Sequence, residues 1–150
     1  MILERLSREP YRLTMRRGSA RIGTVPDAVQ VGPKVCLINK YSASDGDLFP
    51  WGFRALGLGK LIGTRTWGGI VGISGSLPYM DGTDIRVPFF TSFDPKTGSW
   101  IIENHGVDPD ILIDNDPVKE WNGEDQQLDR AIQEVMKELQ DRKPLPGVPT

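Results

Sequence analysis

The hydrophobic pattern is clearest in two stretches, which predict a buried strand and an amphipathic helix. The short run from Lys34 to Asn39 is apolar at its centre, as in a strand that is buried on both faces. Residues 123–141 place apolar side chains at helical spacing opposite charged ones, between an acidic start and the stop at Lys143-Pro144. The apolar positions of this stripe are Leu128, Ile132, Val135, Met136 and Leu139.

A strand–helix–strand unit follows from the residues after Asn39. The apolar positions between residues 48 and 58 suit a helix that packs on a sheet and ends at Gly57 or Gly59. Because proline is tolerated only in the first turn, Pro50 predicts that this helix starts near Asp47. Residues 60–64 read as a second short strand, parallel to the first if the helix is a crossover.

The remaining segments are less regular. Residues 1–9 have helical spacing that Pro10 ends, and residues 11–33 are polar and rich in glycine and proline, which predicts a loop-rich connection. Between residues 67 and 102, short apolar pieces separated by turn residues predict β-hairpins. The predicted organisation is a helix remnant and connection at 1–33, a core at 34–143 and a flexible tail at 144–150.

Composition narrows the class of function. With 38% hydrophobic residues, 25% charged residues and a net charge of -2, the chain reads as a globular domain without the cationic surface that nucleic acid needs. No apolar run is long enough to span a membrane, and no secretory signal is visible, so the compartment stays open, cytoplasmic if the chain is complete. Cys36 is the single cysteine and reads as a structural thiol. No metal-ligand spacing or nucleotide loop is present, so we expect no cofactor.

A serine lies where chemistry is expected, in the turn between the predicted strand and helix. Unpaired N–H groups and the positive end of the helix dipole near Ser44 would suit a developing oxyanion. The same serine with Asp47 three residues later also matches a capping box, which is purely structural. Spacing alone leaves both interpretations open.

The sequence offers no obvious base for that serine. His105 is the only histidine, and Glu103 lies beside it. A triad of Ser44, His105 and an acid requires the fold to bring them together. A lone histidine is more often a surface or packing residue.

Three segments, in order, resemble the tricorn-type members of the C-terminal-processing (tail-specific) serine peptidases. They are Asn39–Asp47 (NKYSASDGD), Gly57–Gly69 (GLGKLIGTRTWGG) and Glu103–Asp110 (ENHGVDPD). The likeness runs from about residue 33 to 140. It implies an α/β fold, the ClpP/crotonase-like superhelix with short mixed sheets and helices, of which this chain would hold the C-terminal part.

The resemblance also implies roles for particular residues. Ser44 aligns with the nucleophile, the N–H of Asp45 with one oxyanion-hole donor, and Glu103 with the glutamate that orients the active-site hydrogen bonds. Gly69 stands where another branch of the family has its lysine base. Tricorn-type members use a histidine from a segment before the nucleophile, and His105 is not at that position.

A departure from the family concerns specificity. The tricorn-type specificity acid should fall near residues 14–16, where this chain has Thr14, Met15 and Arg16. Preference for basic residues before the cleaved bond is therefore in doubt.

Strands that lack their upstream neighbours would have open edges, so we expect a homo-oligomer or an upstream segment that completes the site.

Three functions remain open from the sequence. The first is a serine peptidase that acts on peptides or unfolded proteins through an acyl-enzyme on Ser44, with its histidine missing from this chain. The second is an inactive fragment that serves as a peptide-binding or assembly module. The third, an acyl-CoA binder on the same fold, has no specific support in these residues.

Overall fold

Short strands alternate with helices along the chain. The computed structural model describes residues 2–75 and 77–148. In chain order the elements are α1 (Ile2–Leu6), β1 (Arg12–Met15), β2 (Ile22–Val25), β3 (Val35–Ile38), α2 (Asp45–Ala55), β4 (Lys60–Gly63), β5 (Gly72–Gly75), β6 (Arg86–Phe90), β7 (Ile111–Leu112), α3 (Pro117–Trp121) and α4 (Gln126–Asp141). Within those described ranges no helix has the length and apolar character needed to cross a membrane.

A parallel sheet in the order β3-β4-β7 forms the centre of the molecule. As predicted, α2 connects β3 to β4, and Cys36 lies opposite Leu61 in the register. The third strand, β7, was not predicted. Only two of its residues pair, Ile111 with Ile62 and Leu112 with Gly63, and so short a run carries no pattern of its own.

The core lies between this sheet and α2. Its buried cluster contains Ile38, Phe53, Leu61 and Val107, and α1 packs against it through Leu3 and Leu6. Burying one such aliphatic or aromatic side chain contributes about 1.5–3 kcal/mol. The sheet therefore holds α2, and with it the turn that precedes α2, in a fixed position.

Two predictions for this region need correction. Helix α2 begins at Asp45, so Pro50 is its sixth residue and lies beyond the first turn. The proline removes only the N–H that would bond to the Gly46 carbonyl, and the helix continues past it. Strand β3 is not buried on both faces: Ile38 is 3% exposed, whereas Leu37, which points to the opposite face, is 43% exposed.

The N-terminal connection contains a hairpin that the sequence did not predict. β1 and β2 pair antiparallel, with Arg12 opposite Val25, and Gly18 lies in the turn at φ 78°. The residues of β1 and the start of β2 are mostly exposed, so no alternation of apolar and polar positions marks them. As predicted, β5 and β6 form a hairpin. Of the predicted tail, residues 144–148 form no helix or strand, and 149–150 lie outside the described residues.

Helix α4 is present as predicted, but its apolar stripe does not face the sheet. Of that stripe, four side chains stay 43–54% exposed: Leu128, Ile132, Met136 and Leu139. The sheet side carries Gln127, Ala131 and Glu134. Gln127 donates from Nε2 to the carbonyls of Ile38 and Ile62, at 2.9 and 2.7 Å. Helix α4 therefore contacts the sheet partly through polar side chains.

Candidate active site

Ser44 occupies a sharp turn between the carboxyl end of β3 and the first residue of α2. Its backbone has φ 56° and ψ -111°, and its side chain is exposed. A non-glycine residue in such a conformation costs of order 1–3 kcal/mol and persists only where surrounding contacts hold it. The strand–serine–helix arrangement predicted from the sequence is present.

Most backbone N–H groups around Ser44 donate a hydrogen bond to a described residue, but that of Asp45 does not. Those of Asp47 and Leu48 donate to the Ser44 carbonyl at 2.8 and 2.9 Å, and that of Gly46 donates to the Ala43 carbonyl. The N–H of Ser44 itself donates to Asp47 Oδ2 at 2.9 Å. No described residue accepts from the N–H of Asp45. This free donor lies at the positive end of the α2 dipole, where it could bind an oxyanion.

Asp47 is a buried carboxylate that reaches beyond its own helix. Besides the Ser44 N–H, it accepts from Gly68 N–H at Oδ1 (2.7 Å) and from Gly69 N–H at Oδ2 (3.2 Å). The sequence assigned Asp47 only to a capping box, and the half of that box formed by its carboxylate is present. The contacts with Gly68 and Gly69 were missed, because these residues are far from Asp47 in the sequence and only the fold brings them near. The one sign of these contacts in the sequence was that Asp47, an acid, stands beside the apolar positions of α2.

Glu103 binds the next two amides of the same segment. Its Oε2 accepts from the N–H groups of Ile70 and Val71, at 2.7 and 2.9 Å. The four consecutive amides of residues 68–71 are thus bound by two carboxylates. Asp47 comes from the turn of the nucleophile candidate and Glu103 from the late motif, so this segment joins them.

The three motifs that carried the resemblance meet around this segment. Trp67 N–H donates to the Ser42 carbonyl at 2.9 Å, which ties the second motif to the first. Asn104 N–H donates to the Gly68 carbonyl at 2.7 Å, which ties the third to the second. Thr66 Oγ1 accepts from the buried N–H of Val107 at 2.7 Å. Backbone contacts therefore assemble parts of the chain that are up to about sixty residues apart in sequence.

His105 is engaged elsewhere. Its Nε2 lies 2.7 Å from Asp108 Oδ2, and it lines a cavity of about 770 Å³ with Arg54 and other residues of the C-terminal half of α2. Ser44 precedes the opposite end of this 11-residue helix, whose length is roughly 16 Å. In the part of the chain that the structure describes, no hydrogen bond joins the Ser44 hydroxyl to His105 or to Glu103.

The region aligned with the family's specificity acid lies in the β1–β2 hairpin. Thr14 and Arg16 line a cavity of about 360 Å³ with Arg21 and Asp27 among others. Positions 14–16 themselves carry no acid. Across residues 2–75 and 77–148, no group of three or more His, Cys, Asp or Glu side chains is arranged to hold a metal ion.

Comparison with known proteins finds relatives along most of the chain. The model of the family described as Peptidase family S41 matches residues 5–113. The tricorn protease of Thermoplasma volcanium is 46% identical over 112 residues, which are 75% of this chain and 11% of that protein. A putative tricorn-like protease C-terminal subunit of Sulfurisphaera tokodaii is 38% identical over 142 residues, which are 95% of this chain and 16% of that protein.

A solved structure has the same fold as this chain. The crystal structure of the tricorn protease matches with a TM-score of 0.84 at 39% identity, over 93% of this chain and 13% of that chain. The chain therefore spans only a small part of the relatives it matches. Since the family model covers most of the chain and the tricorn relatives are well above 30% identical over three quarters of it or more, this protein belongs to peptidase family S41, among its tricorn-type members.

Proposed function

We propose that this chain carries the nucleophile of a serine-type peptidase, and that the nucleophile is Ser44. The observation that carries the proposal is the exposed Ser44 at positive φ directly before α2, next to the unbonded N–H of Asp45. A serine in this setting can attack a carbonyl while the charge that develops is bound by a backbone donor. The proposed substrates are peptides or unfolded protein segments.

The proposed reaction proceeds in two stages. Ser44 Oγ bonds to the carbonyl carbon of the substrate, and its proton passes to a base. The oxyanion accepts a hydrogen bond from the Asp45 N–H. The carbon–nitrogen bond then breaks, and the base returns the proton to the leaving amine. Water then attacks the ester carbon and gives a proton to the base, the bond between that carbon and Ser44 Oγ breaks, and the base returns the proton to Oγ.

Among the described residues, no base forms a hydrogen bond with the hydroxyl of Ser44. His105 is the only histidine, and its ring is paired with Asp108. Following the resemblance to the tricorn-type members, we assign the base to a histidine on a segment outside this chain. Glu103 Oε1 accepts no hydrogen bond from the described residues, so it can accept one from that histidine or from the segment that carries it.

Fluorophosphonate labelling of the full-length protein tests the role of Ser44, with the labelled residue mapped by mass spectrometry. We expect labelling at Ser44, loss of both labelling and peptide hydrolysis in Ser44→Ala, and no change in Ser99→Ala. Ser99 is a matched control, because it is an exposed serine outside the helices and strands of the same chain. Peptide hydrolysis that survives Ser44→Ala would contradict the proposal.

A second candidate is an inactive module that binds extended peptides or assembles with other chains. Two observations favour it: no described base reaches Ser44, and the outer edge of β3 has no partner strand among the described residues. An open edge can accept a peptide as an added strand. Peptide binding without turnover in the full-length protein, unchanged by Ser44→Ala, would support this function over the first.

A further inference from the structure

We propose that Asp47 is a positioning residue of this active site, which holds the Ser44 turn at a fixed separation from the segment bound by Glu103. The inference rests on the proposed role of Ser44. It adds a residue to which the family resemblance assigned no role. The carboxylate of Asp47 is fully buried and its partners are all backbone N–H groups, those of Ser44, Gly68 and Gly69.

A helix cap alone does not explain these contacts. A capping carboxylate bonds to amides at the start of its own helix, whereas Asp47 also bonds to residues 21 and 22 positions later. Both of its oxygens are used, Oδ1 by Gly68 and Oδ2 by Ser44 and Gly69. An ionised carboxylate suits three donors because it only accepts.

The consequence for Ser44 is twofold. Its N–H is occupied by Asp47, which holds the residue at positive φ and leaves the N–H of Asp45 as the free donor beside the hydroxyl. In addition, Gly68 and Gly69 run directly into Ile70 and Val71, which Glu103 binds. Any displacement of Asp47 would therefore move the nucleophile relative to Glu103.

Inactivation kinetics of the full-length protein separate positioning from folding. With a fluorophosphonate peptide, the binding constant KI and the first-order rate kinact are measured for wild type and Asp47→Asn. The amide keeps the size but offers one acceptor oxygen and turns an NH₂ toward a backbone N–H. We expect kinact to fall about 10- to 100-fold while KI changes by less than about two-fold. A variant that merely unfolded in part would lower the amount labelled and keep the rate of the folded fraction.

Two further variants sharpen the test. Asp110→Asn is the matched control, because Asp110 also accepts a backbone N–H, that of Leu61, but pairs with Arg54 near the far end of α2. It should leave kinact unchanged. Asp47→Glu keeps the charge and should recover part of the rate lost in Asp47→Asn. A folded Asp47→Asn protein with wild-type kinact would overturn the inference.

Amide hydrogen exchange of the unmodified full-length protein tests the same contacts without serine chemistry. The N–H groups of Ser44, Gly68 and Gly69 should be protected, and that of Asp45 should exchange quickly. Rapid exchange at Ser44 would overturn the role of Asp47 even if Asp47→Asn did not fold. Absence of labelling at Ser44 in wild type would instead contradict the proposed function, so the two failures are distinguishable.

Discussion

At the scale of residues, the amides of residues 68–71 are held by carboxylates rather than by a neighbouring strand. Asp47 binds the first two and Glu103 the second two. A hydrogen bond to a charged group contributes about 1.5–3 kcal/mol when well buried, so these contacts fix the segment strongly. Glu103 uses one oxygen for both of its bonds, and its other oxygen accepts no hydrogen bond from the described residues.

Substitutions at Glu103 should separate its structural role from the catalytic role proposed for it. Glu103→Gln can keep both hydrogen bonds through its carbonyl oxygen, so we expect the free energy of unfolding to change by less than about 1 kcal/mol. Glu103→Ala leaves two amides unpaired, and each should lower the free energy of unfolding by about 1–3 kcal/mol. Urea unfolding measures both.

Fluorophosphonate labelling of the full-length protein gives the catalytic half of the comparison. If the charge of Glu103 orients the base, Glu103→Gln should label Ser44 more slowly although its fold is intact. Glu120→Gln, an exposed substitution on α3, is the control and should match wild type in stability and rate. Equal labelling rates for wild type and Glu103→Gln would limit Glu103 to a structural role.

At the scale of elements, α4 is fastened to the sheet by polar contacts at two points. Gln127 binds the carbonyls at the ends of β3 and β4, and Glu134 accepts from Lys60 Nζ at 2.6 Å and from Arg130. The hydrogen bond from Lys60 is the largest cause and that from Arg130 the second largest, and together they lower the pKa of Glu134 from 4.5 to about 2. The strand that leads to Ser44 is therefore held in place from α4 as well as from α2.

The lowered pKa of Glu134 predicts how stability depends on pH. Because the pKa is lower in the folded state, the contribution of Glu134 is fully present above its unfolded value of 4.5 and is lost as pH falls toward 2. Urea unfolding should show wild type more stable than Glu134→Gln at pH 6, with the difference shrinking over that interval. Gln140→Ala, an exposed substitution near the end of α4, is the control, because it removes no ionisable group and should leave the pH dependence of wild type unchanged. A difference between wild type and Glu134→Gln that does not vary with pH would contradict the assignment.

At the scale of the whole molecule, much apolar surface is uncovered. The β5–β6 hairpin exposes Ile73, Phe89 and Phe90, with Phe89 at 76%, and the apolar stripe of α4 is also exposed. Contiguous exposed apolar surface marks an interaction site more often than a free face. The expectation of a homo-oligomer, or of another segment that covers these faces, stays a prediction.

Sedimentation velocity of the 150-residue chain tests this expectation. We expect concentration-dependent association, reduced by Phe89→Lys because the substitution places a charge on the apolar hairpin. Thr91→Lys is the control, since it adds the same charge to an exposed residue of the same segment without removing apolar surface. A chain that stays monomeric up to its solubility limit would contradict the prediction.

Much of this protein could be predicted from local pattern. The continuous apolar run of β3, the turn with Ser44, the crossover helix and the parallel partner β4 were all recognised from residues close together in the chain. The three family motifs were also local, and the comparisons confirm the family that they indicated. The assignments of Ser44, Asp45 and Glu103 depend on that resemblance and remain predictions.

Contacts between residues that are far apart in the chain could not be predicted from the sequence. Neither the two-residue strand β7 nor the exposed β1–β2 hairpin has a hydrophobic period, so no pattern marked them. Helix α4 turns Gln127 toward the carbonyls of Ile38 and Ile62, and a hydrophobic stripe contains no information about such a contact.

The sequence by itself determined the family, the central strand–serine–helix unit and the candidate nucleophile, because each depends on residues that are neighbours in the chain. Only the tertiary structure decided that Asp47 and Glu103 bind amides of the same segment, residues 68–71. It also decided that His105 pairs with Asp108 and forms no hydrogen bond with Ser44. The physical reason is that buried backbone amides must find acceptors, and which acceptor each one finds depends on how the chain folds.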